Sequence, residues 1–270
     1  MNALQRHHVR VSGTGHQVMV FVHGFGCDQQ MWRLVAPAFE AEYRVVLLDL
    51  VGAGNSDLTA YAPARYSTLA AHAEDVREVL EALDAHEVIF VGHSVSAMIG
   101  VLAAAQEPTR FSRLILVGPS PHYLNEAGYP GGFELGDIEE LLEAMDSNYL
   151  GWSAAFAPVV MDTPDQPALT AELTNSFCRT DPAIARHFAR VTFLGDNRAD
   201  LPGVRTPALI LQSARDLIAP LAVGAYVHHQ LAGSKLVVLN TSGHCPHVSA
   251  PEATVAAMRG YLQETHPLPV

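Results

Sequence analysis

The stretch from Val88 to Ala105 leaves this chain little choice of fold. Val88-Ile89-Phe90-Val91 is an apolar run too short for a helix, and it passes through Gly92-His93-Ser94-Val95-Ser96 directly into the Ala-rich run Ala97-Met98-Ile99-Gly100-Val101-Leu102-Ala103-Ala104-Ala105. A buried strand that becomes a helix within a few residues, with a serine on the turn, predicts a nucleophile elbow, which lifts a hydroxyl above the end of a parallel sheet. The turn is sharp, so it needs small residues on both sides of the serine. Gly92 and Ser96 fill those places, Ser96 standing where the motif usually has its second glycine.

A serine hydroxyl is a weak nucleophile until a base sits beside it and a third group orients that base. Thr206-Pro207-Ala208-Leu209-Ile210-Leu211-Gln212 reads as a buried strand, left by the loop Ser213-Ala214-Arg215-Asp216. Lys235-Leu236-Val237-Val238-Leu239-Asn240 reads as another, followed by Thr241-Ser242-Gly243-His244. Ser94, Asp216 and His244 are therefore the candidate catalytic residues, and their chain order is the α/β-hydrolase order, unlike those of chymotrypsin and subtilisin. His247 is the competing base. It is expected to begin the last helix after Pro246, a structural place. An oxyanion needs two backbone N–H donors, one just after the nucleophile and one from an early loop of the sheet. Val95 supplies the first; the second is expected from Phe25, where the apolar run Val18-Met19-Val20-Phe21-Val22 ends in His23-Gly24-Phe25-Gly26. His23, His93, Asp49 and Asp57 read as architectural side chains.

Strand-like runs at 8–11, 18–22, 45–48, 88–91, 114–117, 208–212 and 236–239 alternate with helical patterns, such as 69–83 with Leu69, Ala73, Val76, Leu80 and Leu83 on one face. The alternation predicts an α/β fold with a mostly parallel central sheet. Strand signals stop between residues 121 and 200, where four helices are expected at 135–145, 149–160, 168–177 and 183–194. The expected organisation is a core of residues 1–120 and 201–270 with a helical cap at 121–200. A chain of 270 residues, 49% of them hydrophobic, is long enough for one large core and a small subdomain. The net charge of −12 argues against nucleic acid or an anionic membrane as partner. The start lacks an apolar signal segment, no run approaches a membrane span, and three scattered cysteines suit a reducing compartment, so a cytoplasmic protein is expected. No cofactor or metal is expected. Gly52-Ala53-Gly54 lacks the third glycine of a dinucleotide fingerprint, and the adjacent pairs His7-His8 and His228-His229 point apart.

Four segments together, His23-Gly24-Phe25-Gly26-Cys27-Asp28-Gln29-Gln30-Met31-Trp32, Gly92-His93-Ser94-Val95-Ser96-Ala97, Val117-Gly118-Pro119-Ser120-Pro121 and Gly243-His244-Cys245-Pro246-His247, make the chain resemble the RsbQ-like branch of the α/β-hydrolases. That branch holds a bacterial sigma-B stress regulator and the plant strigolactone and karrikin receptors. The likeness extends through Asn148-Tyr149-Leu150-Gly151-Trp152 and Cys178-Arg179-Thr180-Asp181-Pro182. It implies a V of four cap helices over a deep pocket walled by Phe25, Tyr123, Phe133, Trp152, Phe156 and Phe193. None of these is charged, so a small, neutral, hydrophobic ester or lactone is the expected substrate. The resemblance also implies an alternative to a metabolic hydrolase: a signalling protein that regulates a partner, such as a stress-response phosphatase, through its cap.

Overall fold

A computed structural model describes residues 2–264. Among them seven strands form one sheet: β1 (Arg10–Ser12), β2 (Val18–Val22), β3 (Arg44–Leu48), β4 (Val88–His93), β5 (Phe111–Val117), β6 (Ala208–Arg215) and β7 (Ser234–Ser242), in the order β1-β3-β2-β4-β5-β6-β7. β1 runs antiparallel to β3 and every other neighbouring pair is parallel. A parallel sheet is covered on both faces, and for that reason β2 and β4 read as unbroken apolar runs with every residue buried.

Alternate residues divide the two faces. Val20, Phe90, Leu114 and Ile210 pack with α2 (Ala70–Ala82), α3 (Val95–Gln106) and α8 (Leu221–Gln230), and a short α1 (Ala3–Arg6) abuts the same cluster. Phe21, Val91, Ile115 and Leu211 face the other way, onto Trp32, Phe39 and the residues Met258 and Tyr261 of α10 (Pro251–Gln263). The α/β architecture expected from the alternation is the one observed.

Between β5 and β6 lie α4 (Leu135–Ser147), α5 (Tyr149–Met161), α6 (Pro167–Arg179) and α7 (Pro182–Leu194). Their ends follow from local chemistry. Glu134 and Asp137 form a capping box at the start of α4, the Asn148 side chain accepts from the Gly151 N–H at the start of α5, and Asp181 accepts from Ala183 and Ile184 ahead of Pro182. Inward-facing Ile138, Leu142, Met145, Trp152, Leu173, Phe177 and Phe193 share one cluster, which continues into Cys27, Ile218 and Cys245 of the loops at the carboxyl ends of the strands.

Some boundaries differ from expectation. The first strand starts at Arg10 rather than at residue 8, because His8 sits at φ 44°, a turn conformation. β6 and β7 run to Arg215 and Ser242, past the apolar residues that signal them, and remain paired there. His247 does not open the last helix: it lies in the four-residue α9 (Pro246–Ser249), and α10 begins afresh at Pro251.

Candidate active site

The elbow forms where β4 stops. Ser94 donates its backbone N–H to the Val117 carbonyl of β5 at 2.8 Å while adopting φ 56° and ψ −124°, a region that costs a non-glycine residue about 1–3 kcal/mol. α3 starts at the next residue. Gly92 is required by space, since a Cβ there would fall 2.4 Å from the Ser96 carbonyl. The serine in place of the motif's second glycine has its own contact: the Ser96 hydroxyl donates to the carbonyl of His23, tying the elbow to the loop after β2.

The prolongation of β6 and β7 decides what meets Ser94. Gly243 donates to the Arg215 carbonyl at 2.8 Å, so the last paired residues deliver Asp216 and His244 side by side. His244 Nδ1 lies 2.7 Å from Asp216 Oδ2, and its Nε2 lies 2.7 Å from Ser94 Oγ. With a carboxylate at Nδ1, the imidazole carries its proton there and presents a lone pair to the serine hydroxyl. Asp216 Oδ1 accepts from the N–H groups of Ile218 (2.8 Å) and Ala219 (3.0 Å), and Gln212 donates to Oδ2 at 3.4 Å. All three side chains are buried. Gln212 was not singled out by the sequence reading, being a single polar residue at the end of an apolar run.

Neighbouring histidines take other parts. His93 donates from Nε2 to the His244 carbonyl at 2.8 Å, and burial holds its pKa well below the ordinary value. His247 lies behind it, with its ring 4.5 Å from Trp32 and 4.3 Å from His93. Burial pushes its pKa down to about 3. It makes no hydrogen bond to Ser94 or Asp216. His23 donates from Nδ1 to the Gly24 carbonyl (2.8 Å) and accepts from the Leu50 N–H (3.1 Å), which folds the loop carrying Phe25. Asp49 accepts from the Gln29 and Asn55 N–H groups, and Asp57 accepts from Thr59. The Val95 N–H is the first of α3 and has no carbonyl one turn back to meet; neither it nor the Phe25 N–H donates within the described residues.

Ser94 lines a small cavity. Phe25, Tyr123, Phe156 and Phe193 are among its lining residues, joined by Val160, Leu173, Phe177, Thr192 and Ile218 and by Cys27 and Cys245. Burial raises both thiol pKa values, so these cysteines stay protonated. Phe133 and Trp152 correct the expectation, since neither lines the cavity. Trp152 stacks on Phe156 (5.1 Å) and Phe177 (5.3 Å), and Phe133 packs against Tyr123 (6.5 Å) and Phe193 (6.4 Å), so both stand one layer back. Phe177 was missed as a lining residue although Leu173 and Phe177, four apart on α6, present one face; Ile218, in a loop, gave no signal. Among the described residues no Lys, Arg, Asp or Glu lines the cavity, and no group of three His, Cys, Asp or Glu is placed to hold a metal ion. The Tyr123 hydroxyl is 3.5 Å from Ser94 Oγ, and burial pushes its pKa up to about 12.

The helical layer and His244 are directly bonded. The His244 N–H donates to the Val160 carbonyl near the end of α5 at 2.8 Å, and a Cβ at Gly243 would meet the Met161 carbonyl at 1.9 Å.

The profile of the Alpha/beta hydrolase family matches residues 19–257. The chain is 40% identical to a strigolactone esterase of Arabidopsis thaliana over 262 residues, 97% of this chain and 98% of that protein. It is also 40% identical to a karrikin insensitive 2 receptor of Petunia hybrida over 96% of both. A solved hydrolase from Oleispira antarctica superposes with a TM-score of 0.95 at 40% identity, covering 97% of each chain. Among the described residues no helix is long and apolar enough to cross a membrane.

Proposed function

The chain belongs to the Alpha/beta hydrolase family, and from that premise we propose that it cleaves small, neutral, hydrophobic carboxylic esters or lactones through an acyl-enzyme on Ser94. The observation that carries this reading is the pair of 2.7 Å contacts that joins Ser94 Oγ, His244 and Asp216 at the floor of an uncharged cavity. His244 Nε2 takes the hydroxyl proton as Oγ attacks the acyl carbon, and the imidazolium so formed is stabilised by Asp216. The N–H groups of Phe25 and Val95 receive the oxyanion. His244 then gives its proton to the leaving oxygen, and water repeats the sequence on the acyl-enzyme. Tyr123 stays protonated at neutral pH and faces the reacting hydroxyl as a donor. Residues 121–200 act as the cap over a core made by 1–120 and 201–270, and the three free thiols favour the cytoplasm as the working compartment.

Treatment with a sulfonyl fluoride followed by mass spectrometry is expected to place a single adduct on Ser94, absent in Ser94→Ala. An adduct on another serine in active protein, with Ser94 unmodified, would falsify the assignment.

A signalling role is the second reading, supported by the receptor among the relatives and by the bond from His244 to α5, through which events at the base reach the cap. Fast turnover of an ester panel favours the metabolic role. Very slow turnover with a protein such as a stress-response phosphatase copurifying from the native host favours the other.

A further inference from the structure

Two buried polar atoms on residues that line the cavity have no partner and no part in the chemistry above, His93 Nδ1 and Thr192 Oγ1; because His93 donates from Nε2, its Nδ1 is an acceptor, and the unpaired hydroxyl donor is that of Thr192. Thr192 lies on α7 with 5% of its surface exposed, lines the cavity, and its hydroxyl meets no partner among the described residues. Helical hydroxyls usually escape this by bonding the carbonyl one turn back. Ser153 does so to Tyr149 (2.8 Å), Thr174 to Thr170 (2.9 Å) and Thr254 to Ala250 (3.0 Å). Thr192 makes no such bond to Phe188. The hydroxyls of Thr163, Thr206 and Ser213 are also without partners, but none of them lines this cavity. A valine would fill the same space without the desolvation cost of a buried hydroxyl left unpaired. The lining therefore includes a residue whose hydroxyl has no protein partner and can be satisfied by a bound molecule.

We propose that Thr192 is a specificity-determining residue whose hydroxyl donates to a second oxygen of the substrate. The compounds this site takes are then esters or lactones with one further carbonyl or ether oxygen, remote from the acyl group that Ser94 attacks. A neutral acceptor is required rather than a carboxylate, because no cationic side chain among the described residues lines the cavity. The inference rests on the reading of Ser94 as the nucleophile and adds to it the class of substrate. Ser94 follows β4 and Thr192 lies on α7, so the two contacts come from different elements of the cavity lining.

The test compares p-nitrophenyl pentanoate with p-nitrophenyl 4-oxopentanoate, which differ by one remote carbonyl, in wild type, Thr192→Val and Thr192→Ser. The quantity read is the ratio of the two kcat/KM values, which removes any general loss of activity from misfolding. Thr192→Val is expected to lower the preference for the oxo ester by about fivefold to tenfold, the worth of one neutral hydrogen bond, while Thr192→Ser keeps it within about twofold. A ratio unchanged in Thr192→Val, or lost equally in Thr192→Ser, overturns the proposal. A second arm needs no turnover. Ser94→Ala protein is heated with matched millimolar methyl pentanoate or methyl 4-oxopentanoate, and the oxo ester is expected to raise the thermal midpoint more, with the difference abolished by adding Thr192→Val. Absence of labelling at Ser94 with this difference intact would defeat the mechanism and leave the Thr192 contact standing; labelling with no difference would do the reverse.

Discussion

His72 makes the acid stability of this protein a quantitative test of its interior. Its imidazole is 1% exposed on α2, with its ring 4.6 Å from Tyr66 and 5.0 Å from Phe188, and neither nitrogen has a hydrogen-bond partner. Burial pushes its pKa down to about 3, whereas a histidine in an unfolded chain titrates near 6.5. Below that value the unfolded chain binds a proton that the native state refuses. The stability is therefore complete above about pH 6.5 and is lost as pH falls toward 3. Between pH 7 and pH 5 the difference in proton binding amounts to about 2 kcal/mol for one such histidine. His247, also pushed down to about 3, doubles this, and His93 acts in the same direction. A combined loss of about 4 kcal/mol is a large part of the roughly 5–15 kcal/mol that holds a typical domain together. The assay is urea unfolding followed by circular dichroism at pH 7, 6 and 5, in wild type and His72→Phe. Phenylalanine keeps a ring against Tyr66, and whatever its packing costs is the same at each pH. The variant is expected to lose about 2 kcal/mol less than wild type between pH 7 and pH 5. Equal losses in the two proteins would refute the view that His72 is held neutral by burial.

The choice of base is tested by paired substitutions: His244→Ala is expected to lower turnover of p-nitrophenyl acetate by about 10⁴-fold or more, while His247→Leu keeps most of it, and the opposite pattern exchanges the assignment. In the cavity, Phe156→Ala removes a lining ring and is expected to move the optimum of a p-nitrophenyl ester series toward longer acyl chains while Ser94 still reacts with a small sulfonyl fluoride; an unaltered chain-length profile counts against enclosure by the cap.

Much of the fold was readable because it is written in buried apolar runs. β2 occupies Val18–Val22, the run that signals it, and the strand–turn–helix at Ser94 is a local event with local sequence needs. The ends of β6 and β7 were not readable, since Ser213, Ala214, Arg215, Thr241 and Ser242 carry no apolar signal and are held by pairing to each other. That pairing is what sets Asp216 beside His244, so chain order singles the two out as candidates but does not show their approach. The cavity wall was read least well. Periodicity shows which face of a cap helix points inward, but whether an inward ring meets a neighbour or the cavity depends on how four helices cross. For that reason Trp152, expected on the wall, stands behind it, while Phe177, which stacks on it, lines the cavity, as does Thr192 beside Phe193.

The contact between α5 and the base loop has a consequence for recombination. The segment 121–200, proposed above as a cap, looks interchangeable because it leaves and re-enters the sheet between two adjacent strands. Yet the Val160 carbonyl holds the backbone of His244, and the Met161 carbonyl occupies the space a side chain at Gly243 would need. A grafted cap whose second helix ends one residue early or late would drag the imidazole off its serine or collide with the glycine. The unit of exchange is thus discontinuous: donor cap and donor residues 243–245 have to travel together, although more than forty positions of sequence separate them.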